Sequence, residues 1–124
     1  MKALKIMVVD DSIITVEKIS AMLENMGHTV VSTAKTGSEA LTKYPEVKPD
    51  LMTMDITMPE LDGIETTKQI ISIDPSALIV MVTSQGQERM VMDSLDAGAK
   101  GYVLKPIKPD KLQLILEQIV DKYT

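Results

Sequence analysis

The sequence contains no cysteine, no phenylalanine and no tryptophan, and three tyrosines are all it has of the large aromatics. Without cysteine there are no disulfides and no thiolate metal sites. Without large aromatic rings the core needs another filler, and ten methionines, flexible enough to occupy irregular gaps, take that place. No apolar run approaches the roughly 20 residues of a membrane-spanning helix. At the N-terminus Lys2 and Lys5 flank an apolar run, Ile6 to Val9, that meets Asp10 and Asp11 at once. That run has the length of a strand, not of a signal-peptide core. A cytoplasmic protein that does not engage membranes is expected. Basic residues are also short in number, 13 against 18 acidic ones for a net charge of −5. A protein that binds a phosphate backbone needs clustered Lys and Arg, so nucleic acid is not an expected partner. The deficit is uneven: residues 1–99 carry 8 basic and 15 acidic side chains, whereas residues 100–124 carry 5 and 3. The more basic C-terminal surface is a candidate for an acidic protein partner, beside the default of a solvated face.

Five short segments rich in Val, Ile, Leu and Met read as strands: Lys5 to Val9, Thr29 to Thr33, Leu51 to Met54, Ala77 to Val82 and Gly101 to Leu104. Between them the apolar residues recur at helical spacing, as in Val16, Ile19, Leu23 and Met26, and again in Leu112, Ile115 and Ile119. Ser12 is placed to cap the first helix, and Gly27 and Gly98 fall where helices should end. Strands alternating with helices imply right-handed crossovers and a parallel sheet covered on both faces. The expectation is an α/β, doubly wound, five-stranded parallel sheet. No linker or low-complexity tract divides the chain, so residues 1–124 read as a single domain, expected to be a monomer.

Ligands of such sheets bind beyond the carboxyl ends of the strands. Here the first strand runs into Asp10 and Asp11, the third into Asp55, the fourth into Thr83 and Ser84, and the fifth into Lys105 and Pro106. One rim would therefore gather three carboxylates, hydroxyls and an ammonium. Carboxylates held that close raise one another's pKa unless a cation neutralises them. Mg²⁺, which takes oxygen ligands and keeps waters that phosphate oxygens can replace, is the natural counter-ion, with Mn²⁺ as a substitute. Such a site invites phosphoryl chemistry. Taken singly, each acid could be a helix cap or a solvated strand end.

These segments resemble the receiver domains of bacterial two-component response regulators, particularly the stand-alone CheY-like chemotaxis group. The matching residues are Val8-Val9-Asp10-Asp11-Ser12, Met54-Asp55-Ile56-Thr57-Met58-Pro59, Leu61-Asp62-Gly63, Val82-Thr83-Ser84 and Tyr102-Val103-Leu104-Lys105-Pro106, in the family's order and over nearly the whole chain. The resemblance implies a flavodoxin-like sheet of strand order 2-1-3-4-5, an order borrowed from the family and not read from spacing. It implies that Asp55 accepts a phosphoryl group from a CheA-like histidine kinase, and that Asp10, Asp11, Asp55 and the Thr57 backbone carbonyl hold the metal. Lys105 would pair with a phosphoryl oxygen, across a cis bond to Pro106. Thr83 would turn its hydroxyl toward the phosphoryl group and Tyr102 would move inward after it, altering the face made by the fourth helix, fifth strand and fifth helix. The chain would then be a switch and not a turnover enzyme, with slow loss of its phosphoryl group and an output partner such as a flagellar motor switch protein. A phosphate sink, or the receiver part of a longer transcriptional regulator, is also open; a chain that begins at Met1 and ends just after its last helix favours the stand-alone form.

Two other classes fit less well. A phosphatase of the haloacid dehalogenase kind needs a second aspartate two residues past its nucleophile, where this chain has Thr57, a poor proton shuttle near neutrality. A flavodoxin-like electron carrier needs a phosphate cradle after strand one, where this chain has two carboxylates. His28 is expected on the surface away from the acidic rim, Tyr44 and Tyr123 have no assigned role, and Met58, Met90 and Met92 are candidates for an adaptable partner surface beside the default of core filling.

Overall fold

The computed structural model describes residues 2–84 and 88–124. Strand and helix alternate along the chain as β1 (Lys5–Val9), α1 (Ile13–Asn25), β2 (Thr29–Ala34), α2 (Gly37–Val47), β3 (Leu51–Asp55), α3 (Gly63–Ile73), β4 (Ile79–Ser84), α4 (Glu88–Asp96), β5 (Gly101–Lys105) and α5 (Pro109–Tyr123). All strand pairs are parallel and the order across the sheet is β2-β1-β3-β4-β5. The expected doubly wound architecture is the one observed. The register sets Val9 beside Met54, Asp55 beside Val82 and Ser84 beside Lys105, so that the carboxyl ends of four strands meet at one rim.

Every residue of β3 is buried, and β1 and β4 are nearly so, because helices cover both faces of the sheet. Ile6, Val8, Leu51, Val80, Val82 and Val103 pack against Ile19 and Leu23 of α1 and Leu112, Leu116 and Ile119 of α5. The other face carries Met7, Met52, Met54 and Met81 against Ala40 and Tyr44 of α2 and Ile70 of α3. Met58 joins this second layer, buried and not on the surface as one of its expected readings had it; Met90 is half-buried against it, and Met92 alone of the three is well exposed. The Tyr44 hydroxyl donates to Asp74 Oδ2 at 2.8 Å, joining α2 to the end of α3. Burial first, and then this contact with Asp74, pushes the Tyr44 pKa up.

The helix ends follow the sequence signals. Ser12 Oγ accepts from the Thr15 N–H at 3.4 Å, and Gly27 and Gly98 take the left-handed conformation, with φ of 95° and 113°. The strand ends were less legible. β4 begins at Ile79 and not at Ala77, because the Ala77 N–H is used in a turn to the Asp74 carbonyl at 3.1 Å. β3 and β5 run one residue past their apolar segments, since Asp55 and Lys105 stay in the ladder although neither is apolar.

His28 is a correction. It is 5% exposed, and its Nδ1 accepts from the Leu4 N–H at 3.0 Å, clipping the start of β1 to the turn between α1 and β2. An accepting Nδ1 requires the neutral ring, and burial holds the His28 pKa below its ordinary value. Its contribution to stability is therefore present above about pH 6.5, the ordinary histidine value, and is lost as the pH falls below it. The stability advantage of wild type over His28→Gln in urea unfolding is expected to shrink by about 1 kcal/mol between pH 7.5 and pH 5, the worth of one such hydrogen bond. An advantage independent of pH would show that the ring acts by packing alone.

Candidate functional site

Asp10, directly after β1, is fully buried; its N–H donates to the Ala34 carbonyl at 3.0 Å and its Oδ1 accepts from the Ser12 N–H at 2.9 Å. These two bonds turn the carboxylate over the rim. Asp11 beside it is exposed, and Asp55, the last residue of β3, is 5% exposed. One carboxylate oxygen from each of the three lies within 4.8 Å of the others. Lys105, the last residue of β5, reaches across β4, its Nζ 3.4 Å from Asp55 Oδ1 and 3.2 Å from Asp10 Oδ2 beyond it.

Burial, then the neighbouring charge of Asp10, pushes the Asp55 pKa up to about 6 against the opposing pull of Lys105. For Lys105 burial acts downward, but the charges of Asp55 and Asp10 outweigh it and raise its pKa. The cluster therefore holds more negative charge than its one ammonium settles. Asp10 Oδ2 is buried and, among the described residues, meets no aligned hydrogen-bond donor, although the Lys105 ammonium stands 3.2 Å away.

Thr83 is buried at the end of β4, with its Oγ1 donating to the Ser84 carbonyl at 3.1 Å. Tyr102 on β5 is 43% exposed. Thr57 is exposed in the loop after β3. That loop turns back sharply: the Leu61 N–H donates to the Pro59 carbonyl and the Gly63 N–H to the Ile56 carbonyl, each at 2.8 Å. Glu60 adopts a φ of 66° within it, a left-handed conformation uncommon outside glycine. The Lys105–Pro106 bond is cis. The expected site residues thus share one rim, with Tyr102 on the adjoining outer surface of the edge strand.

On the face of α4, β5 and α5 that the sequence pointed to lies a groove it did not foresee, of about 850 Å³, between β5 and α5 and bordered by Leu95 of α4, whose apolar wall includes Tyr102, Leu104 and Leu114. The signal was present in β5, where Tyr102 and Leu104 alternate with buried Val103, so that both faces of an edge strand are apolar. Lys100, Lys105, Lys108 and Lys111 also line it, and among the described residues no Asp or Glu does.

Residues 6–117 match the family of response regulator receiver domains, and the chain belongs to that family. It is a receiver of the phosphorylation-activated kind, similar to chemotaxis proteins CheY. It is 43% identical to the CheY of Listeria monocytogenes over 115 residues, covering 93% of this chain and 97% of that one. With the CheY of Bacillus subtilis it shares 44% over 108 residues, 87% of this chain and 90% of the other. Among solved structures, a complex of CheX, CheY, BeF3 and Mg²⁺ from Borrelia burgdorferi superposes with a TM-score of 0.90 at 33% identity, over 94% of this chain and 88% of that one. No helix among the described residues is long and apolar enough to cross a membrane.

Receiver domains bind Mg²⁺ in an acidic pocket, and the residues here fit such an ion. Three carboxylates converge, one of them ends in a buried oxygen with no aligned donor, and all offered ligands are hard oxygens.

Proposed function

We propose that Asp55 is the phosphoacceptor of a histidine kinase and that its modification resets the surface around β5. The observation that carries this is the placement of Asp55 at the buried end of β3, within reach of two further carboxylates and one ammonium. An Asp55 oxygen attacks phosphorus, the new O–P bond forms as the P–N bond of the donor phosphohistidine breaks, and the imidazole leaves with the electron pair. Asp10, Asp11, Asp55 and the Thr57 carbonyl would hold Mg²⁺, which when bound supplies positive charge against the phosphoryl oxygens. Lys105 stands by Asp55 as a point charge for one of those oxygens. Water is poorly activated afterwards, because the exposed side chain two residues beyond Asp55 is a threonine and not a carboxylate. The phosphoryl group then persists long enough to signal, which suits a switch better than a turnover enzyme.

The output partner is a segment with apolar anchors and acidic flanks, matched to the lysine-bordered groove of β5 and α5. The similarity to CheY proteins over most of the chain favours a chemotaxis role, with a flagellar motor switch protein as the partner.

The test of this reading is phosphorylation from acetyl phosphate followed by intact-mass spectrometry. One phosphoryl group is expected with Mg²⁺ or Mn²⁺ and none after chelation. Asp10→Ala or Asp11→Ala should weaken Mg²⁺ binding, read by amide NMR shifts, about tenfold or more without unfolding the chain. Unchanged affinity in both variants would move the metal elsewhere.

A further inference from the structure

Two glycines press on the loop that carries Thr57, and neither is there for its conformational range, since among the described residues the left-handed glycines are Gly27 and Gly98. What Gly37 and Gly63 supply is room. A Cβ on Gly63, the first residue of α3, would collide with the Asp55 carbonyl oxygen and stand 2.9 Å from Ile56 Cα. A Cβ on Gly37, the first residue of α2, would collide with Thr66 Oγ1 and stand 2.9 Å from the Leu61 carbonyl oxygen. Most of these neighbours are backbone and have no rotamer to retreat into.

Nor can the helices draw back easily, because Ala40 and Tyr44 of α2 and Ile70 of α3 are buried in one cluster and the Tyr44 hydroxyl donates to Asp74 at the end of α3. The start of α2 is fixed by Thr36 Oγ1, which accepts from the Glu39 N–H at 3.0 Å, while Glu39 Oε1 accepts from the Lys35 N–H at 2.6 Å. The start of α3 is fixed by Asp62 Oδ1, which accepts from the Glu65 N–H at 2.8 Å, and by Thr66 Oγ1, which donates to the Asp62 carbonyl at 2.7 Å. A methyl group at residue 37 must therefore displace Leu61, and must either turn Thr66 Oγ1 off the Asp62 carbonyl or shift the first turn of α3. Leu61 lies in the loop whose other end is Asp55, and Gly63 transmits any shift of α3 straight to the Asp55 carbonyl.

We infer that Gly37, which touches neither the carboxylates nor a phosphoryl group, is a positioning residue for the acceptor site. It lets α2 hold α3 and the loop 56–62 closed, and so fixes where Asp55 and the Thr57 carbonyl stand relative to Asp10 and Asp11. The inference rests on reading those groups as the ligands of Mg²⁺. Packing alone would make Gly37 matter for stability; positioning makes it matter for the metal.

The experiment is Mg²⁺ titration of the full chain by amide NMR, with thermal unfolding of each variant measured alongside. Gly37→Ala is expected to bind Mg²⁺ about tenfold more weakly than wild type, the usual cost of disturbing the support of a ligand set. Gly27→Ala is the control, because its φ of 95° strains an alanine while nothing lies within 4 Å of the added Cβ. It should lose stability and keep its Mg²⁺ affinity. In a Thr66→Ala background, where one of the colliding atoms is gone, Gly37→Ala should cost less affinity than it does in wild type. Wild-type affinity in Gly37→Ala, an equal loss in Gly27→Ala, or an undiminished penalty in the Thr66→Ala background would each overturn the inference. Failure of the wild-type chain itself to bind Mg²⁺ would instead overturn the metal-site reading beneath it.

Discussion

Asp55→Asn is expected to take up no phosphoryl group from acetyl phosphate and Mg²⁺ under conditions that modify the wild-type chain fully. Asparagine keeps the size and place of the side chain at the end of β3 but has no anionic oxygen to attack phosphorus. Asp10 and Asp11 stand nearby, so the experiment also asks whether a neighbouring carboxylate can substitute. Asp10 is fully buried with Lys105 against its Oδ2, and it has no open side from which a donor can approach in line. Equal modification of wild type and Asp55→Asn would remove Asp55 from the acceptor role.

The same substitution has an expected signature in stability. The Asp55 pKa, raised to about 6 by burial and by Asp10, lies above its ordinary 3.8. The fold thus prefers the neutral carboxyl, and that favourable contribution is complete below pH 3.8 and lost as the pH rises through 6. At pH 8 in chelator, Asp55→Asn should be more stable than wild type by on the order of 1–3 kcal/mol, and the difference should close near pH 4. Added Mg²⁺ should stabilise wild type more than the variant, because only wild type keeps all three carboxylates. With no tryptophan in the chain, unfolding in urea is best followed by circular dichroism.

What the sequence made legible follows from where physical constraints are local. The strand cores could be read because burial on both faces forces nearly unbroken apolar runs, as in Ile6 to Val9. The rim could be read because acids directly after apolar runs must lie at strand ends. The placement of His28 could not, because its bond to Leu4 joins residues 24 positions apart and exists only once β1 and β2 are paired. The closed loop after β3 was equally hidden: Leu61-Asp62-Gly63 signals a turn, but the need for glycine there arises from the approach of α3 to the Asp55 carbonyl. Tyr102 keeps its exposure because β5 is an edge strand whose groove stands open.

Thr83→Ala is expected to leave phosphorylation within about threefold of wild type while abolishing most of its effect on the surface, whereas Lys105→Ala should slow phosphorylation itself by about a hundredfold, the order seen on deleting one charge-stabilising donor. The two residues lie at the carboxyl ends of adjacent strands, Thr83 one residue before the end of β4, yet their surroundings differ. Lys105 contacts Asp55 directly at 3.4 Å and settles part of the cluster's charge. Thr83 instead spends its hydroxyl on the neighbouring Ser84 carbonyl, a bond within its own strand that a better acceptor can displace. A phosphoryl group at Asp55 brings about −1.5 to −2 charge and three acceptor oxygens, which is such a competitor. Turning Thr83 toward it would vacate space beside β5, and the expected outcome is that the exposed Tyr102 ring enters it. The groove lined by Tyr102, Leu104, Lys108 and Lys111 would then present a different shape to its partner, by shifting an equilibrium already available to the unmodified chain. Alanine at residue 83 removes the hydroxyl that senses the phosphoryl group but none of the groups proposed to receive it. The measurement is a comparison of amide NMR shifts on phosphorylation of wild type and Thr83→Ala, over α4 (88–96), β5 (101–105) and the first turns of α5. Equal responses in the two proteins would exclude Thr83 as the coupling residue, and an Asp55 that phosphorylates normally in Lys105→Ala would remove the lysine from the chemistry.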